Sequence, residues 1–385
     1  MNKDGTVTRI GVDCHRKFST VTARNAKGQI EWRERLEHED RRPLRRRLRT
    51  WPEGTPVVLE ATFGWGWLAD ELLAAGLDPH LASSRKVAAW RQARGMAKSN
   101  RTDADLLSEL WDQQPHWWEV WLAPPEVRDR REWLRYRMAL VAMQTALKCR
   151  IHAVLHRHGI VHGYSDLFGA GGRKFLGCLT GPNDGTLRKS AKATLKGYLQ
   201  LLDHTRRQIA RVTREFRQQV VKSREGDRLR TIPGISWILA YTILAEVGDI
   251  RRFRNAKHLG SYSLLVPRAY DSGEPDDEKD PKGRHVGKVG RLTLKTAWVQ
   301  AAHGAVRRGG RFRKIFDRYT DGGKRNRGRG YIVVAHELCR IGYAVWTKEM
   351  DYTDTPPPRP GRRSKGKRSH PGTGQPVGLM VAAAG

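Results

Sequence analysis

Cysteine is scarce in this chain of 385 residues, and the four present are scattered without any CxxC pair: Cys14, Cys149, Cys178 and Cys339. This spacing excludes a disulfide framework or a structural zinc site and predicts a reducing compartment. The first residues contain no apolar stretch typical of a signal peptide, and no apolar run approaches the ~20 residues of a membrane span. We therefore expect a soluble, cytoplasmic protein.

Acidic residues are also few. The chain has 40 Asp and Glu against 72 Lys and Arg, a formal net charge of +32. Such an excess is typical of proteins that bind a polyanion, most often nucleic acid. A solubility feature or a ribosome-associated scaffold is the alternative reading. Any cluster of acids in so basic a chain needs its own explanation.

Residues 1–115 predict an α/β domain. The stretch "VTRIGVDCH" and the two segments after it alternate like strands of a β-meander, and "TPVVLEAT" reads as a short buried strand. "WGWLADELLAAGLD" has helical spacing with Gly76 at its stop, "PHLASS" reads as a fifth strand, and helical patterning continues to about residue 111. Strands followed by alternation with helices indicate an α/β fold.

Residues 116–226 predict a helical coiled-coil region with two long helices, the first from about Glu126 to His158. In the second helix, apolar residues recur at spacings of three, four and seven, which suits either a coiled-coil seam or a plain bundle core. These residues are Leu195, Leu199, Leu202, Ile209, Val212 and Phe216.

Residues 227–351 predict a mostly α-helical C-terminal domain. Its stretch "TIPGISWILAYTILAEVGD" resembles a helix-hairpin-helix element, whose tight turn offers backbone N–H groups to phosphate. Ser236 stands where the second glycine of such a hairpin is usual. Residues 352–385 are rich in Pro, Gly and basic residues and predict a disordered tail.

Four oxygen-bearing side chains stand out within the α/β region. Asp13 ends the first strand, Glu60 ends the fourth, and Asn100 and Asp103 lie three apart on one helical face, while Asp105 points elsewhere. A carboxylate that ends an apolar strand is costly unless it is solvated, paired or bound to a cation. Each alone is compatible with an ordinary cap or surface residue. Together they suit a nuclease site in which carboxylates hold Mg²⁺ ions.

Three motifs in register carry a specific resemblance. "IGVDCHRK", "VVLEATFGWGWLADEL" and "KSNRTDADLL" resemble the DEDD-type insertion-sequence transposases, the family of bridge-RNA-guided serine recombinases related to the Piv invertase. Further along, "GDIRRF" and "LGSYSLLVP" resemble that family's C-terminal transposase domain. The resemblance covers most of residues 7–350.

The resemblance implies an RNase H-like (resolvase-like) N-terminal domain. Its metal ligands would be Asp13, Glu60, Asn100 and Asp103, with Mg²⁺ as cofactor and the three acids as catalytic residues. The third ligand of the family is normally aspartate. An amide oxygen can coordinate Mg²⁺ but brings no charge, so Asn100 should lower the affinity for the metal.

The resemblance also implies a serine nucleophile, which we assign to Ser272 in "AYDSGEP". Ser261 and Ser263 are alternatives, although "GSYSLLVP" is more typical of packing. Basic residues around Ser272 are expected to bind the scissile phosphate. They are Arg268, Lys282, Arg284 and Lys288.

The sequence thus favours a DNA transposase or site-specific recombinase of an insertion sequence, which cuts and rejoins strands. The resemblance further implies a structured non-coding guide RNA that pairs with donor and target DNA, and homodimers that assemble into a tetramer. Two alternatives remain open. One is a Holliday-junction-type metal-dependent nuclease without a serine intermediate, and the other is a catalytically inactive nucleic-acid-binding relative, decayed at Asn100.

Overall fold

A computed structural model of the chain describes residues 7–97, 99–182, 185–266 and 290–354. The chain separates into two compact units, Met1–Glu126 and Val127–Gly385. The N-terminal unit is a mixed α/β sheet domain, and the described part of the C-terminal unit is helical. The finer division at residues 115, 226 and 351 stays a prediction, and most of the predicted tail lies outside the described residues.

The N-terminal unit is built on one mixed sheet of order β3-β2-β1-β4-β5-β6. The strands are β1 (Val7–Cys14), β2 (Phe18–Asn25), β3 (Ile30–Glu37), β4 (Pro56–Glu60), β5 (Asp78–Ala82) and β6 (Glu119–Val120). The first three form the predicted antiparallel meander, while β4 and β5 run parallel to β1. The short β6 is antiparallel to β5 and was not predicted.

The central strands β1 and β4 are covered on both faces. Val57, Val58 and Leu59 are all fully buried, as an apolar run in the middle of a parallel pair requires. Along β1, Ile10 and Val12 enter the core that also holds Leu68 and Leu72, and the opposite face meets a helix.

The helices of this unit are α1 (Arg41–Leu48), α2 (Trp65–Ala74), α3 (Ser84–Ala93) and α4 (Asn100–Leu110). The end of α2 before Gly76 agrees with the sequence-based expectation. Helix α1 lies in a basic stretch that was not predicted to be helical, and it buries Leu44 and Leu48. The helical patterning expected through residue 111 is two helices, because Gly95 takes a left-handed φ of 62° between them.

Helix α4 begins at Asn100 because Ser99 caps it. The Ser99 side chain accepts from the backbone N–H of Thr102, and the Thr102 hydroxyl accepts from the N–H of Ser99, a reciprocal capping box. This cap fixes the first turn, and with it Asn100 and Asp103, at one end of the helix.

Two helices of more than thirty residues dominate the described part of the C-terminal unit. The helices are α5 (Pro125–Arg157, which begins two residues before the unit), α6 (Ala170–Leu179), α7 (Lys189–Lys222), α8 (Arg224–Thr231), α9 (Trp237–Val247), α10 (Ala256–Tyr262), α11 (Leu292–Arg308), α12 (Gly310–Thr320) and α13 (Arg327–Thr347). A short 3-10 turn spans Ile250–Arg252.

The predicted apolar seam of α7 is buried within the unit itself. Leu195, Leu199 and Leu202 share a core with residues of α5 and α6, whereas Val212 and Phe216 belong to the larger core around α9. The bundle-core reading therefore accounts for the seam. Helix α5 is long and apolar enough to cross a membrane by length and composition, whereas the sequence was expected to contain no such segment. The helix nevertheless contributes Leu134, Leu140, Ile151 and other residues to these two cores.

The hairpin-like element forms as α8, a Pro-Gly turn and α9. Gly234 takes a φ of 87°, and a Cβ there would lie 2.1 Å from the carbonyl oxygen of Ala301 on α11. Ser236 caps α9 by accepting from the N–H of Leu239. The glycine is thus required by close packing against α11 as well as by the turn.

Helix α4 and strand β1 approach each other very closely at Gly11. A Cβ on Gly11 would lie 2.2 Å from the backbone N of Ser108 and 2.4 Å from the carbonyl oxygen of Ala104. The helix therefore rests directly on the strand, with no side chain between them. This contact determines how closely the residues of α4 approach those at the end of β1.

We expect Gly11→Ala to force α4 away from β1 and to lower the free energy of unfolding by about 1–3 kcal/mol. Chemical denaturation of the full chain measures this. Gly197→Ala is the matched control, because a Cβ there meets open space and alanine in an α-helix should stabilise α7 by ~0.5–1 kcal/mol. An unaltered stability of Gly11→Ala would contradict the direct contact.

Candidate active site

A cleft of about 370 Å³ opens at the carboxyl ends of β1 and β4. All its lining residues belong to the N-terminal unit, and all four residues predicted as metal ligands are among them. The lining is Asp13, Cys14, His15, Arg16, Glu60, Thr62, Phe63, Ser84, Ala88, Arg91, Asn100 and Asp103.

Two of the acids reach the cleft from adjacent parallel strands. Val12 and Leu59 are the last pair of the β1–β4 ladder, and Asp13 and Glu60 are the next residues of the two strands. Asp13 shares the face of β1 with Gly11, the face on which α4 lies. It is only 6% exposed.

The other two residues come from the first turn of α4. Asp103 is 6% exposed, whereas Asn100, the first residue of the helix, is exposed and lines the cleft. A spacing of three places both on the same side of the helix. The structure thus brings together three carboxylates and one amide from β1, β4 and α4.

One acid of the cleft is paired with an arginine of the same unit, and another lies beside a histidine. Arg91 on α3 donates to Asp103 Oδ1 at 2.7 Å, and His15 Nε2 lies 2.9 Å from Asp13 Oδ2. Burial raises the pKa of Glu60, and the carboxylates of Asp13 and Asp103 raise it further, although the Ser84 side chain and the charge of Arg91 act to lower it. The three carboxylates of the cleft thus repel one another, and Arg91 offsets part of their charge.

The donor chemistry of the cleft fits a hard divalent cation. Its donors are carboxylate and amide oxygens, the ligands that Mg²⁺ prefers, and buried like charges are unfavourable without a counter-charge. Within the described ranges, however, no three His, Cys, Asp or Glu side chains are gathered closely enough to hold a metal ion. Asp103 in particular would have to exchange its Arg91 partner for the ion.

Asp105 has a structural role on another side of α4. It accepts two hydrogen bonds from Arg33, at 2.9 and 2.8 Å, and one from Thr22 at 2.7 Å. Burial acts to raise the pKa of Asp105, but these hydrogen bonds and the charges of Arg33 and Arg24 hold it below its usual range. Asp105 is thus not available to supply the charge that Asn100 lacks.

Sequence reasoning missed several residues of the cleft. Arg91 and Ser84 come from α3, and Arg16 and Phe63 from the loops after β1 and β4. For Arg16 and Phe63, the only indication in the sequence was their position, three residues after Asp13 and Glu60 respectively. Arg91 had no signal in the sequence, because its partner Asp103 lies on a separate helix.

The predicted nucleophile and phosphate-binding residues cannot be placed. Ser272, Arg268, Lys282, Arg284 and Lys288 lie outside the described residues. Of the two alternative serines, Ser263 is fully buried with its Oγ 4.0 Å from Cys339 Sγ, in agreement with the packing role expected for it. Ser261 is exposed on α10.

Two transposase families match the chain. Residues 10–160 match the DEDD transposases of the IS110 group, and residues 226–317 match the transposases of the IS116/IS110/IS902 family. The first match contains the whole acidic cleft. The two matches together span more than half of the chain.

Curated relatives agree with these matches. The chain is 24% identical over 255 residues to the transposase for insertion sequence element IS1111A of Coxiella burnetii, which covers 65% of this chain and 66% of the relative. It is 25% identical over 355 residues to the transposase for IS1328 of Yersinia enterocolitica, covering 89% and 97%. The pilin gene-inverting protein of Moraxella bovis is 30% identical over 145 residues, 37% of this chain and 42% of that protein. The chain is a DNA transposase, similar to the DEDD-type transposases of the IS110/IS116 family.

Proposed function

We propose that this transposase cuts and rejoins DNA strands with Mg²⁺ held by Asp13, Glu60 and Asp103, with Asn100 as a fourth, uncharged ligand. The observation that carries the proposal is the convergence of these four side chains in one cleft. We further infer that the N-terminal unit is RNase H-like. Its antiparallel β1–β3 meander continued by the parallel strands β4 and β5 supports this.

Each group of the cleft has a distinct task in the proposed reaction. The bound cation would stabilise the charge on the attacking and leaving oxygens of the phosphodiester. Asp13, Glu60 and Asp103 would hold it. Arg91, once released from Asp103, and Arg16 at the exposed edge of the cleft supply positive charge for the phosphate oxygens. They let a polyanion approach an otherwise repulsive acidic cluster.

Ser272 is the proposed nucleophile. Its hydroxyl loses a proton and forms a bond to phosphorus, while the bond from phosphorus to the leaving sugar oxygen breaks and that oxygen gains a proton. A sugar hydroxyl of another strand then attacks the phosphoserine ester and releases the serine, so strands are exchanged without net hydrolysis. Arg268, Lys282, Arg284 and Lys288 would bind the phosphate during both steps.

The partners follow from the same proposal. DNA donor and target are the substrates, a structured non-coding RNA selects them, and homodimers pair into a tetramer to bring two cut sites together. The net charge of +32 supports binding of a nucleic acid. The predicted location is the bacterial cytoplasm, at the nucleoid when DNA is bound.

Asp103→Asn should weaken binding of Mn²⁺ by at least ~10-fold and abolish strand cleavage, because it removes a buried carboxylate without changing the size of the side chain. Isothermal calorimetry with Mn²⁺ and a cleavage assay with the DNA ends of the element measure the two effects. Glu53→Gln, at an exposed site outside the cleft, is the control. Equal Mn²⁺ affinity in both variants would rule out Asp103 as a ligand.

Asn100→Asp should lower the dissociation constant for Mg²⁺ by roughly 10-fold, because it adds a full charge to the ligand set. The effect is measured by metal titration. A stability measurement would not suffice, because a negative charge at the start of α4 also stabilises the helix when no metal is bound. Asn255→Asp is the matched control: the same change at the cap of α10, where aspartate caps equally well. A titration curve equal to that of the unmodified chain would exclude Asn100 as a ligand.

Ser272→Ala should eliminate a covalent protein–DNA adduct that survives denaturation, while leaving Mn²⁺ binding unchanged. Ser261→Ala, the control, should retain the adduct. Cleavage that persists in Ser272→Ala without any adduct would support the junction nuclease instead. Binding without any cleavage by the unmodified chain, with Mg²⁺ and RNA transcribed from the flanks of the element, would support the inactive relative.

A further inference from the structure

Phe63 is a fully exposed aromatic residue on the wall of the acidic cleft. Its side chain is 99% exposed, and it lines the cleft together with Glu60 and Arg16. The nearby Trp65 and Trp67, in contrast, are partly buried and pack against the core of the sheet. Phe63 therefore contributes almost no burial to the fold, which leaves its ring available to a ligand.

The turn that carries Phe63 is firmly anchored. Ala61 N–H donates to the Ala82 carbonyl at 2.8 Å, and the Ser84 hydroxyl donates to the Ala61 carbonyl at 3.0 Å. Gly64 takes a φ of 90° immediately before α2, a conformation that favours glycine. The aromatic ring is thus projected from a backbone fixed to β5 and α3, three residues after Glu60.

The chemistry around the ring points to a nucleobase. Every base has an apolar face that stacks on an aromatic side chain, and such stacking tolerates any sequence. Arg16 lines the same cleft and supplies a charge for the phosphate that accompanies the base. An apolar protein partner would have to cover an acidic, arginine-bearing cleft, which suits it poorly.

We propose that Phe63 is a substrate-positioning residue that stacks on an unpaired DNA base next to the scissile phosphate. The inference rests on the proposed cleavage in this cleft and adds how the strand is held there. By fixing a base at the edge of the cleft, the ring would keep the adjacent phosphate in line with the acids and lower the freedom of the strand before cutting.

The test compares Phe63→Ala, Phe63→Leu and Phe63→Trp in the full chain. The probe is the DNA end of the element with 2-aminopurine on either side of the cut, bound in Ca²⁺ to prevent cleavage and then cut in Mg²⁺. Leu73→Ala is the matched control, because Leu73 is an exposed apolar residue of α2 that does not line the cleft.

We expect Phe63→Ala and Phe63→Leu to cut about 10-fold more slowly and to lose the quenching of one 2-aminopurine. Phe63→Trp should restore both properties, and Leu73→Ala should behave as the unmodified chain. The melting temperature and the affinity for Mn²⁺ should stay unchanged in all the Phe63 variants, since the ring packs on nothing.

Three results would overturn the stacking role. These are full activity of Phe63→Ala, recovery by Phe63→Leu as complete as by Phe63→Trp, or a change of oligomeric mass in Phe63→Ala, which would make the ring a protein contact. A failure of the unmodified chain to cut would instead count against the proposed function. The quenching measured in Ca²⁺ would then still decide whether Phe63 stacks on a base.

Discussion

The direct contact between α4 and β1 at Gly11 is the constraint on which the acidic cleft depends. Without a side chain on Gly11, the backbone of α4 rests on the strand, and the first turn of the helix reaches the end of β1. Asp13 is on the same face of β1, two residues along. A helix held one side chain further out would leave Asp103 too far from the strand-end acids to share a cleft with them.

Ion pairs then hold α4 in the position that this contact allows. Three arginines of the meander bind three acids of α4 and the turn after it: Arg9 with Asp112, Arg24 with Glu109 and Arg33 with Asp105. Arg9 and Arg24 are buried although their partners Asp112 and Glu109 are partly exposed, so these two pairs are screened less than fully exposed pairs. The acids of this segment therefore have two different roles. Asp105, Glu109 and Asp112 hold the helix on the sheet, whereas Asp103 lines the cleft together with the neutral Asn100.

The sequence allowed the strands that carry Asp13 and Glu60 to be predicted, because their apolar patterns are short and continuous. The placement of Asn100 and Asp103 on one face of a helix could also be predicted, from their spacing of three residues. The break between α3 and α4 could not be predicted, because the single glycine Gly95 is a weak local signal. Helix α1 could not be predicted either, because Leu44 and Leu48 are its only buried residues in a basic stretch. Arg91 had no signal in the sequence, and Phe63 had only its position three residues after Glu60. The first depends on a contact between two helices, and the second is informative only because the fold leaves it uncovered.

The ion pair between Arg91 and Asp103 has a consequence for how the protein exists before it meets a substrate. Small zinc domains collapse without their ion because binding supplies their folding free energy. Here the chain itself provides a counter-ion for Asp103. The N-terminal unit therefore balances one of its buried carboxylates with its own arginine, and its folding free energy does not have to come from an ion at that residue.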